Sequence, residues 1–112
     1  MTKNLTEKET AMLIAFVTEG IRCSGFDGMA AEDLIEDNTT WMNANDLKDD
    51  LGWSKLSIGG VMSSLSEKGL IFDTYDSPRK ARVNDWVASP DGIRWYFDLF
   101  GHEATNKIIT EG

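Results

Sequence analysis

Sulfur and imidazole chemistry is nearly missing from this chain, which has one cysteine, Cys23, and one histidine, His102. A lone cysteine excludes an internal disulfide. One cysteine with one histidine cannot supply the clustered ligands of a Cys/His zinc site. Cys23 fits a reducing compartment, so the cytoplasm is the expected location. A redox sensor needs an exposed cationic setting, and the neighbouring Arg22 alone does not establish one, so Cys23 reads as an incidental thiol. His102 reads as a solvated residue. No apolar run approaches the roughly 20 residues of a membrane span. The opening Met1-Thr2-Lys3-Asn4-Leu5-Thr6 has no signal-peptide core, and no membrane partner is expected. Also missing are a nucleophile elbow, a phosphate-binding glycine loop and a histidine set beside a nucleophile. Glu32, Asp33, Glu36 and Asp37 lack the glycine and alternating oxygen ligands of a calcium loop and read as a solvated helix face. The expectation is a protein that binds rather than catalyses, with no cofactor and no metal.

What is present suits one domain spanning 1–112. The chain is 41% hydrophobic, and its four Trp, five Phe and two Tyr can fill a single core. Formal net charge is −8, which repels bulk nucleic acid, but the placement of charge matters more than the sum. Residues 1–47 set Lys3, Lys8 and Arg22 against nine acids. Six of the eleven bases, Lys48, Lys55, Lys68, Arg79, Lys80 and Arg82, fall between 48 and 82. This pattern predicts a locally cationic surface on an acidic body.

Local signals divide the chain into short elements. Thr6-Glu7-Lys8-Glu9 matches a capping box, and a helix is predicted from Glu7 to Thr18, with Met12, Leu13, Phe16 and Val17 inward and Gly20 as its stop. Ile21 to Gly28 reads as a loop, closed by the turn chemistry of Gly25-Phe26-Asp27-Gly28. A short acidic helix is predicted over Met29 to Asp37, with Ala30, Leu34 and Ile35 inward. Thr39-Thr40-Trp41-Met42 reads as extended. Asn43 caps a helix that carries Leu47 and Leu51 and ends at Gly52. Ser54 caps the next, whose Ile58, Val61, Met62 and Leu65 follow helical spacing. After Gly69, Leu70 to Asp76 and Arg82 to Ala88 read as two strands joined through Ser77-Pro78-Arg79-Lys80-Ala81. Ser89-Pro90 opens a last helix with the stripe Ile93, Tyr96, Phe97 and Phe100, widened by Trp95 and Leu99. Gly101 is a candidate bend or end.

From Trp41 to Tyr96 the chain resembles the winged helix of MarR-type bacterial transcription regulators. The resemblance rests on Asn45-Asp46-Leu47-Lys48-Asp49-Asp50-Leu51-Gly52-Trp53-Ser54 and Leu65-Ser66-Glu67-Lys68-Gly69-Leu70-Ile71. It continues through Asp76-Ser77-Pro78-Arg79-Lys80-Ala81-Arg82 and Ser89-Pro90-Asp91-Gly92. It implies a mainly α fold with a small antiparallel hairpin (α+β): a winged helix-turn-helix over 42–88, then a C-terminal helix and tail over 89–112. It also implies double-stranded DNA as partner. Lys55, Ser57 and Ser63 of the second helix would touch the major groove, and Arg79, Lys80 and Arg82 of the wing would bind phosphates or a narrow minor groove. Two positions often basic in the family fall on Gly60 and Ser64. The outward set Lys55, Ser57, Gly59, Gly60, Ser63 and Ser64 has no Arg, Asn or Gln, the bidentate readers of base edges. A Gly-Gly-x-x-Ser-Ser face suits close backbone approach, whether by a phosphate backbone or by another protein's helix.

Two functions therefore stay open on the sequence. One is a small DNA-binding transcription regulator, forming a homodimer through terminal helices with Trp95, Leu99 and Phe100 at the interface. The other is an acidic winged-helix protein-interaction module or accessory inhibitor, one form of which mimics DNA. A small-molecule pocket between Ile21–Asp37 and the last helix is a lesser third expectation.

Overall fold

The structure is a computed structural model that describes residues 5–24, 30–37, 40–73 and 86–111, with backbone alone for 24, 37, 73 and 101–111. Its elements are α1 (Glu7–Ser24), α2 (Ala31–Asp37), α3 (Ala44–Leu51), α4 (Lys55–Glu67), β1 (Ile71–Asp73), β2 (Trp86–Ala88) and α5 (Pro90–Glu111). It is mostly helical with one small antiparallel sheet, the expected α+β class. No helix among the described residues is long and apolar enough to cross a membrane.

α1 is the hub, packed against α2, α3, α4 and α5. Its start is the predicted capping box. The Glu9 amide donates to Thr6 Oγ1 at 3.1 Å, and the Thr6 amide donates to Glu9 Oε1 at 2.8 Å. Met12, Leu13, Phe16 and Val17 are buried as their spacing predicts. The predicted stop at Gly20 is wrong: α1 continues to Ser24, and Ile21 is fully buried one turn beyond Val17. Gly20 serves close packing instead. A Cβ built there would collide with Thr40 Cγ2 and lie 3.3 Å from Thr40 Cα, so any side chain at this position would push the strand-like segment away from the helix. Continuing burial outweighs the ~1 kcal/mol that glycine costs within a helix. The remainder of the predicted loop, Gly25 to Gly28, lies outside the described residues, as do Met29 and Thr39.

In α2, Leu34 is buried and Ile35 half-buried, while Asp33 accepts from the Ala30 amide at 2.9 Å. The extended reading of Thr40 to Met42 holds in part. Met42 forms an isolated antiparallel bridge with Trp86, exchanging N–H···O bonds of 2.9 and 2.8 Å. Buried Thr40 accepts the Ala88 amide at 2.9 Å. The sheet itself pairs Ile71 with Ala88, Phe72 with Val87 and Asp73 with Trp86. The outer parts of both predicted strands and the turn Ser77–Ala81 lie outside the described residues.

α5 begins as predicted, with Pro90 first and Ser89 Oγ accepting the Gly92 amide at 3.1 Å. The same hydroxyl donates to the Gly69 carbonyl at 2.6 Å, tying the start of α5 to the end of the α4 turn. The Gly101 expectation of an end is not met, since α5 runs on to Glu111. One glycine among helix formers lowers helix propensity without abolishing it.

Candidate functional site

The geometry centres on α3, α4 and the three-residue turn between them. Asn43 caps α3 by accepting the Asp46 amide at 2.8 Å, and Asp46 accepts the Asn43 amide at 3.3 Å. Gly52 closes α3 in the left-handed conformation (φ 70°). Ser54 then caps α4 by accepting the Ser57 amide at 3.2 Å. Leu47, Ile58, Met62 and Leu65 bury the inner faces of both helices, with Val61 half-buried. α4 is thus seated on the core along one side and bare along the other.

Of the sequence-predicted residues, Lys55 and Ser63 are exposed, and Ser57 is half-buried with its hydroxyl 3.2 Å from Ser54 Oγ. Lys55, Gly59, Met62 and Ser63 of α4 line one groove of about 550 Å³ together with Asn43, Ala44, Asn45 and Trp86. Asn45 was not among the predicted site residues, because its place beside α4 depends on how the two helices cross. Ser64, expected outward, is not. It donates to Glu9 Oε2 on α1 and so belongs to the scaffold. Leu56 was also passed over and is 90% exposed. Its signal was legible, because it is out of phase with Ile58, Met62 and Leu65. Arg79, Lys80 and Arg82 lie outside the described residues.

Leu56, Gly60, Ser63 and Glu67 form the outward ridge at successive i, i+4, i+3 and i+4 steps, with Gly59 on its flank. A Cβ on either Gly59 or Gly60 meets nothing within 4 Å, so the fold itself gives no reason for two glycines here. Charge is segregated as well. Residues 51–66 hold one lysine and no carboxylate, a run of sixteen in a chain with 19 acids. The α3 acids Asp46, Asp49 and Asp50 gather instead with Glu19 and Trp41 around a separate cavity of about 460 Å³.

The far end of α4 is pinned by a partly buried ion pair. Lys68 Nζ donates to Glu9 Oε1 at 2.7 Å, with the Glu9 side chain 3% exposed and Lys68 34%. Hydrogen bonds from Lys68, Ser64 and the Thr6 amide hold the Glu9 carboxyl at about 2, against an ordinary 4.5 and despite burial. Lys8 sits 5.4 Å above the Trp53 ring, a second link between α1 and the α3–α4 turn.

The predicted dimer residues separate. Trp95, 8% exposed, is part of the core and is not available to a partner, whereas Leu99 and Phe100 are 55% and 42% exposed. Phe100 rests on Tyr96 with ring centroids 4.8 Å apart. Cys23 is exposed on α1, and partial burial and the Glu19 carboxylate push its thiol pKa up, opposite to the shift that makes a thiol reactive. Among the described residues no group of three His, Cys, Asp or Glu is placed to hold a metal ion. Searches against protein families, curated proteins and solved structures return no match to this chain.

Proposed function

We propose that this chain is a winged helix-turn-helix of the MarR-like kind and acts as a small DNA-binding transcription regulator. The observation that carries the proposal is the bare face of α4, free of carboxylates from Lys55 to Ser66 and meeting one only at Glu67, the last residue of the helix, on a chain of net charge −8. A polyanion can approach an acidic protein only where acids are withheld, and here they are withheld along a capped, exposed helix. The free amides at the α4 start, with Lys55 beside them, suit a phosphate. In this reading α4 enters the major groove, and Arg79, Lys80 and Arg82, in the sequence linking β1 to β2, neutralise neighbouring phosphates. Leu99 and Phe100 leave an apolar strip on α5 that a second copy would cover.

The test is binding to random duplex across a salt series, from about 50 to about 200 mM. Affinity is expected to fall steeply with salt. Converting Arg79, Lys80 and Arg82 together to alanine should reduce the slope of log affinity against log salt by about 0.9 for each phosphate no longer neutralised. An unchanged slope removes the wing from the proposal.

A second reading, an acidic protein-interaction module or accessory inhibitor, draws support from the net charge and from the Glu19, Asp46, Asp49 and Asp50 cluster. It predicts no retention on duplex at physiological salt.

A further inference from the structure

Leu56 is the one large apolar side chain on the bare face of α4, and almost all of it is in solvent. A scattered exposed leucine needs no explanation, but this one stands in a particular place. It lies on the same ridge as Gly60 and Ser63, with Gly59 alongside, so its neighbours on that ridge are short or lack a side chain altogether. A partner can therefore close on the α4 backbone and enclose Leu56 from the glycine side. The charge pattern says what kind of partner: no carboxylate occurs from 51 to 66, and Lys55 is adjacent.

The hydroxyls on this face carry little sequence information. The Ser57 hydroxyl, half-buried, accepts from Ser54, and that of Ser64 donates to Glu9. On α4 itself Lys55 and Ser63 remain; serine can bond to more than one kind of base edge, while Lys55 and, across the groove, Asn45 suit guanine and adenine. The apolar group that distinguishes base pairs in the major groove is the thymine C5 methyl. Resting on the DNA reading above, we infer that Leu56 is a specificity-determining residue that packs against thymine methyl groups and gives the domain a preference for A·T-rich duplex. The preference is modest by construction, because it is set by methyl burial rather than by bidentate hydrogen bonds.

The experiment compares a duplex of A·T pairs alone with its counterpart carrying deoxyuridine in place of every thymine, which removes only the methyl groups. Fluorescence anisotropy is read for the full chain and for Leu56→Ala. Because Leu56 is exposed, the variant should keep the parent's melting temperature, checked by circular dichroism. The parent should bind the thymine duplex about fourfold more tightly for each methyl it buries. Leu56→Ala should bind both duplexes alike, close to the parent's affinity for the deoxyuridine form. Equal binding of the parent to both duplexes overturns the inference and leaves DNA binding intact. So does a thymine preference that survives in Leu56→Ala, since the methyls would then act through duplex shape. Absence of binding to either duplex overturns the inference together with the DNA reading beneath it.

Discussion

Replacing Glu9 with alanine should destabilise the fold by about 2–3 kcal/mol, the largest effect expected of a single polar substitution here. Glu9 satisfies three groups at once: the Thr6 amide, the Ser64 hydroxyl and the Lys68 ammonium. Removing it opens one half of the α1 capping box, leaving the Thr6 amide without its acceptor while the Thr6 hydroxyl still caps the helix, and strands a lysine that is two-thirds buried. Lys68 can partly rehydrate, which keeps the cost below that of a fully enclosed pair. Glu9→Gln keeps an acceptor for Thr6 but loses the charge, and should cost about 1–2 kcal/mol. The pH dependence separates charge from shape. With its pKa lowered from 4.5 to about 2, Glu9 contributes stability that is fully present above pH 4.5 and lost as pH falls through about 2. Urea denaturation at about pH 7 and about pH 3 should show parent and Glu9→Gln converging as the pH drops. A constant gap between them would mean that the ion pair contributes little.

The second large effect runs in opposite directions for folding and binding. Changing Gly59 and Gly60 together to alanine should stabilise the protein by about 1–2 kcal/mol, because two mid-helix glycines are removed and the new methyl groups meet open space. The same change should weaken duplex binding by about fivefold or more, equivalent to ~1 kcal/mol, since the methyl groups occupy the room left for a close partner. Thermal melts and anisotropy on one preparation measure both. A variant that gains stability without losing affinity would show that the glycines serve no partner on this face.

Much of this fold was legible because its signals are local. The Thr6–Glu9 box, the Asn43 and Ser54 caps, the left-handed Gly52 and the Ser89-Pro90 start each act within a few residues. They name helix boundaries without knowledge of the rest of the chain. Gly101 misleads locally, because one glycine does not end a helix, but three other failures are long-range. Gly20 reads as a stop because nothing nearby shows that Thr40, twenty residues on, will press against it. Ser64 reads as outward until Glu9, 55 residues earlier, takes its hydroxyl. Trp95 reads as surface until the core closes over it. At the candidate site, Lys55 and Ser63 were found by position and Leu56 was passed over. A search for hydrogen-bonding readers discards a leucine, even when helical phase marks it as exposed.

The central claim is that duplex DNA meets the protein on the outward face of α4 over its carboxylate-free stretch, Lys55 to Ser66. The most direct measurement is a heteronuclear NMR titration of the labelled chain with a short A·T-rich duplex. The account predicts amide shifts concentrated at Ser54 to Gly60 and Ser63, extending to Arg79, Lys80 and Arg82, with Asp46, Asp49 and Asp50 unmoved. Shifts confined to the acidic α3 surface or to the Leu99–Phe100 strip, or no shifts at all at physiological salt, would contradict it.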